Sequence, residues 1–168
     1  MVRENAWTGC DKKKINKVME FCEGYRQFIS SCKTERECAA RSIELAKEHG
    51  YKDLNEIIKK GGTLKAGDKV YACNMGKALV LFNVGREPLE NGMKILGAHI
   101  DSPRLDVKQN PLYQDEELVL LDTHYYGGIK KYQWTAIPLA LHGVVVLTDG
   151  KKINVVIGED MDDPLVGV

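Results

Sequence analysis

The sequence has no apolar run approaching the roughly 20 residues that cross a bilayer, which argues against a helical membrane span. It has no excess of either charge: 24 Lys and Arg balance 24 Asp and Glu. With no basic surplus to release counterions, neither nucleic acid nor an anionic membrane is an expected partner. A net charge near zero also gives little protection against self-association, which fits an oligomer. The opening segment Met1-Val2-Arg3-Glu4-Asn5-Ala6-Trp7 lacks the apolar stretch of a secretory signal, so the expected location is cytoplasmic. The five cysteines, Cys10, Cys22, Cys32, Cys38 and Cys73, form no C-x-x-C pair. An odd number at irregular spacing suits free thiols in a reducing compartment, with Cys22 and Cys32 as core or near-core helix residues. No G-x-S-x-G elbow and no H-E-x-x-H helix occurs, which removes two common hydrolase chemistries.

What is present divides into two stretches of different character. Ile15, Val18, Met19, Cys22, Tyr25, Phe28, Ile29 and Cys32 recur at three- and four-residue steps, predicting an amphipathic helix over 12–31 with Asp11 as N-cap. Lys12-Lys13-Lys14 at its start reads as a solvated face. Thr34 and Glu37 form a capping-box pattern that opens a second helix over 35–48, ended at Gly50, with Ala39, Ile43 and Ala46 as its buried stripe. A short helix follows Asp53 and breaks at Gly61-Gly62. Val70–Cys73 and Ala78–Val84 read as strands joined by the turn Asn74-Met75-Gly76-Lys77. Helices, a hairpin and then the apolar run Met93–Ala98, read as a strand buried on both faces, are the opening of an α/β sandwich. After Pro103 short strands and turns take over. Leu118–Leu121 and Leu139–Leu147 are strand candidates, and Thr148-Asp149-Gly150-Lys151 is a hairpin turn into Ile153–Ile157. The boundary falls near residue 105.

The chemistry concentrates in Gly97-Ala98-His99-Ile100-Asp101-Ser102-Pro103. Pro103 ends the expected strand, which places His99 and Asp101 at its C-terminal end, where ligands collect in open α/β sheets. Positions two apart on a strand share a face. A neutral imidazole can bind a metal through one nitrogen while a carboxylate fixes its tautomer. The bland alternative is a histidine capping a strand before a turn. The other histidines read more simply: His49 as a helix-end residue, His124 with Asp122 as a surface or interface pair, and His142 as a core or interface residue. Gly127-Gly128 lacks the sequel of a phosphate loop and reads as a turn or bulge.

Several stretches, in order and at matching spacing, resemble the aspartyl aminopeptidase family of metallopeptidases, particularly its bacterial branch. They are Leu64-Lys65-Ala66-Gly67-Asp68-Lys69-Val70-Tyr71, Asn74-Met75-Gly76-Lys77-Ala78, Gly97 to Lys108 around His99-Ile100-Asp101-Ser102-Pro103, and Tyr125-Tyr126-Gly127-Gly128. The resemblance implies hydrolysis of N-terminal residues from peptide substrates at a two-zinc centre. His99 would bind one zinc and Asp101 would orient it. It also implies an α/β fold: residues 1–105 open the catalytic zinc-aminopeptidase sandwich, and 106–168 begin an inserted all-β domain that mediates dimerisation, with dimers building a dodecamer. Where eukaryotic relatives carry a Trp-Phe-Asp-Arg-Asp-Leu type of segment, Gln133-Trp134-Thr135-Ala136-Ile137-Pro138-Leu139 lacks both acids and the arginine. That implies a bacterial subgroup with broader substrates. The family's bridging aspartate, acidic ligands, general-base glutamate and final histidine lie beyond residue 168. The expectation is an N-terminal fragment, inactive alone. The rival readings are a non-catalytic β-rich self-assembly module with a vestigial metal site and a related two-metal hydrolase of different specificity.

Overall fold

The computed structural model describes residues 3–168, and the chain divides into two compact units, Met1–Ala98 and His99–Val168. The first unit begins with α1 (Lys12–Ser31), where the Asp11 side chain accepts from the Lys14 N–H at 2.7 Å and closes the N-terminus. In α2 (Glu35–Glu48) both halves of the capping box form: Thr34 Oγ1 accepts from the Glu37 N–H, and Glu37 accepts from the Thr34 N–H. His49 follows as the C-cap, its Nδ1 2.8 Å from the Leu45 carbonyl, and Gly50 leaves the helix at φ 84°, as a chain reversal after a helix requires.

The two-residue β1 (Lys52–Asp53) leads into α3 (Leu54–Lys59), which Asp53 caps through the Asn55 N–H. A three-stranded sheet has the order β1-β2-β3: β1 lies parallel to β2 (Lys69–Asn74), and β2 runs antiparallel to β3 (Ala78–Asn83). Met75 and Gly76 both take positive φ in the three-residue connection Met75-Gly76-Lys77, and the Lys77 N–H donates back to the Asn74 carbonyl at 3.0 Å. The helix α2 lies against β2 and β3, and the buried apolar residues described in this unit are Ala39 and Ala46 of α2, Val70 and Tyr71 of β2, and Cys32.

Two expectations need correction in this unit. Cys22 is exposed, as are Met19, Tyr25 and Ile29 on the same apolar stripe of α1, whereas Ile15, Val18 and Phe28 are half-buried. The periodicity made the helix, but among the described residues little covers its stripe. The expected strand over Met93–Ala98 is also absent: the segment is irregular, with Ile95 83% and Leu96 100% exposed. An extended apolar run becomes a strand only by pairing its N–H and C=O groups with a neighbour. No described strand pairs with it.

In the second unit β4 (Arg104–Asp115) pairs antiparallel with β5 (Leu118–Tyr126), after which come the single turn α4 (Lys131–Trp134) and the hairpin of β6 (Leu141–Val146) and β7 (Lys152–Ile157). The β4–β5 register shifts between Val107 and Leu112, the stretch that contains Pro111, whose missing N–H interrupts a ladder. Gly150 turns the second hairpin at φ 83°. No apolar residue of this unit is among the fully buried residues described.

Gly158 closes the second hairpin against the bridge between Leu139 and Val166. Its N–H donates to Asp163 Oδ2 at 2.7 Å, its φ is 97°, and an added Cβ would stand 2.8 Å from the Leu139 carbonyl oxygen. Gly158→Ala is therefore expected to destabilise this unit by about 1–3 kcal/mol, read as a lower thermal midpoint. An unchanged midpoint would show that the closure is soft.

Candidate metal centre

His99 and Asp101 fall in the irregular segment ahead of β4, and strand alternation does not bring them together. A local contact does. His99 Nδ1 lies 2.9 Å from the Asp101 main-chain oxygen and 3.4 Å from Asp101 Oδ1. A carbonyl oxygen only accepts, so Nδ1 carries the hydrogen and donates. The lone pair is thereby assigned to Nε2, on a side chain 83% exposed, which makes Nε2 the available ligating atom.

The other carboxylate oxygen of Asp101 is also engaged. Tyr126, the last residue of β5, donates its hydroxyl to Asp101 Oδ2 at 2.7 Å. That hydrogen bond, then the backbone N–H of Asp101 itself, and the nearby His99 hold the Asp101 carboxyl below the usual carboxylate range. The group is ionised at neutral pH and accepts on both oxygens. Tyr126 is held in turn by its cross-strand neighbour Arg104: the guanidinium sits 4.0 Å from the ring centroid, and Arg104 Nε donates to Asp106 Oδ1 at 2.7 Å.

His124 and His142 have other neighbours. Asp122 pairs with Lys108 at 3.0 Å, while His124 stands opposite Asp106 in the β4–β5 register. His142 Nε2 is 2.9 Å from Glu159 Oε1 with the side chain 11% exposed, in keeping with a near-core histidine. Tyr126 and Arg104 lie in stretches that carry the sequence resemblance, but no local pattern ties Tyr126 to Asp101, which it reaches across 25 residues.

The family model described as "Aminopeptidase I zinc metalloprotease (M18)" matches residues 28–168. The chain belongs to the M18 aminopeptidase family. A probable M18 family aminopeptidase 1 of Clostridium acetobutylicum is 57% identical over 165 residues, covering 98% of this chain and 36% of the relative. The crystal structure of aminopeptidase I from the same organism superposes with a TM-score of 0.83 at 56% identity, covering 100% of this chain and 37% of that one. Aminopeptidase I from Borrelia burgdorferi B31 superposes with a TM-score of 0.88 at 40% identity, covering 96% of this chain and 39% of that one. The mixed α/β fold is thus that of M18 aminopeptidases over part of their length, and the chain spans about a third of the curated relatives it matches.

The donors of this M18 chain can be set against the zinc of the family's description. Catalytic zinc sites usually draw three protein ligands, and among the described residues no group of three or more His, Cys, Asp or Glu converges. An imidazole with Nδ1 occupied and Nε2 available fits one coordination position.

Proposed function

We propose that this chain is the N-terminal part of a zinc-dependent aminopeptidase that removes N-terminal residues from peptides. His99 serves as ligand to one of two zinc ions, and Asp101 is the partner that orients it. The observation that carries this reading is the His99 imidazole, fixed through Nδ1 by residue 101 in a chain of the M18 family. Zinc bound there supplies a Lewis acid toward the scissile carbonyl. Within this chain, His99 presents Nε2 and Asp101 keeps a negative charge beside Nδ1, which raises the donor strength of the ring. The other ligands and the general base belong to segments outside residues 1–168, so the chain alone does not catalyse.

Residues 1–105 belong to the catalytic domain and 106–168 to a β-rich dimerisation domain. The two hairpins of the later part support this, since apolar residues such as Leu118, Val119, Val146 and Val156 stand exposed on them and isolated two-stranded hairpins are marginal in water. The complete protein is a homo-oligomer built from dimers. Its location is cytoplasmic, in keeping with five cysteines that are all free thiols.

The test uses the protein at the length of its relatives against a panel of peptides with different N-terminal residues. Stepwise release of N-terminal amino acids, lost on chelation and restored by zinc, is expected. Undiminished turnover after chelation contradicts the metal dependence, and no release from any peptide contradicts the proposal and favours the self-assembly module.

A further inference from the structure

We propose that Tyr126 is a positioning residue of this centre: its hydroxyl pins Asp101 so that His99 keeps its hydrogen on Nδ1 and offers Nε2 as the ligating atom. The inference rests on the reading of His99 as a metal ligand. Its starting point is that segment 92–103 takes part in no described ladder, so backbone pairing does not fix residues 99 to 101. Yet Asp101 presents two acceptors to His99 Nδ1, its carbonyl at 2.9 Å and Oδ1 at 3.4 Å. Something must hold residue 101 still for that geometry to persist.

Tyr126 is placed to do so. It ends β5 directly opposite Arg104, whose guanidinium covers its ring at 4.0 Å. The chain then turns away at Gly127 with φ 73°. The ring is thus held by a paired strand on one side and a cation on its face, and its hydroxyl reaches Asp101 Oδ2 at 2.7 Å. The chemistry of the donor matters as much as its position. A phenol stays neutral near pH 7, so it orients the carboxylate without cancelling its charge, as a lysine or arginine in its place would. Asp101 remains an anion facing the imidazole, and the ring keeps the tautomer a metal needs.

The test is nitrogen-15 NMR of the imidazoles in the 168-residue chain, before and during titration with zinc chloride. In the unmutated chain His99 is expected in the Nδ1–H form, with its Nε2 signal moving as zinc is added. In Tyr126→Phe, which keeps the ring beneath Arg104, His99 is expected to become a mixture of tautomers. Its zinc affinity should fall about tenfold, the lower end of the loss when an outer partner of a ligand is removed. Retained β4–β5 amide signals separate this from unfolding. Should Tyr126→Phe lose the hairpin, Asp101→Asn interrupts the same relay at its other end and must give the same mixture. An unchanged His99 tautomer and affinity in the variant overturns the role of Tyr126 while leaving His99 a ligand. A His99 signal indifferent to zinc in the unmutated chain overturns the ligand reading and the inference with it.

Discussion

His99→Ala, made in the protein at the length of its relatives, is expected to abolish peptide hydrolysis and leave the fold in place. The two halves of that expectation come from different observations. The side chain is 83% exposed and its hydrogen bond is local, to the carbonyl of Asp101, so removing it uncovers no core and leaves no buried group unpaired. Activity is another matter. Loss of an outer partner of a ligand typically costs roughly 10–100-fold, and loss of the ligand itself must cost more. Turnover at saturating zinc and a thermal melt are the two measurements. Wild-type-like turnover with bound zinc unchanged would sink the assignment of His99.

Tyr71→Ala is expected to have the largest effect on stability. Tyr71 is 5% exposed in β2, between Asp53 of β1 and Leu81 of β3, and it is the largest of the five buried apolar residues described. Replacing a buried aromatic residue with alanine costs about 3–5 kcal/mol, a large share of the roughly 5–15 kcal/mol that holds a domain together. For a small domain whose urea dependence is about 1–3 kcal/mol per molar, a loss of 3 kcal/mol lowers the midpoint by about 1–3 M. A midpoint within the scatter of the unmutated chain would mean that the first unit does not depend on this core.

The parts of the fold that were legible in the sequence were those governed by local rules. The helix over 12–31, its Asp11 cap, the Thr34–Glu37 box and the turn at Asn74–Lys77 depend on residues within a few positions of one another, and all form as the spacing requires. The strand β4 was not legible. Its residues Arg104-Leu105-Asp106-Val107-Lys108-Gln109-Asn110-Pro111 alternate poorly and include a proline. It also turns into β5 through Glu116 and Glu117 at φ 45° and 67°, where a hairpin of this kind normally shows Asn-Gly or Asp-Gly. Two glutamates in the left-handed region give no turn signal.

The error at Met93–Ala98 has the opposite cause. Apolar content states what a segment would bury, and says nothing about whether a partner strand is present to bury it. The centre itself follows the same division. His99 and Asp101 were legible because they are two residues apart, although a local hydrogen bond and not a shared strand face joins them. Tyr126 reaches Asp101, and Arg104 covers the Tyr126 ring, through the β4–β5 pairing, which no local pattern encodes.

Calorimetric titration of zinc into the 168-residue chain, beside its His99→Ala variant, tests the central claim most directly. One fixed imidazole and, among the described residues, no converging set of three donors predict weak binding that disappears in the variant. Tight binding that survives loss of His99 would place the metal elsewhere and contradict the account.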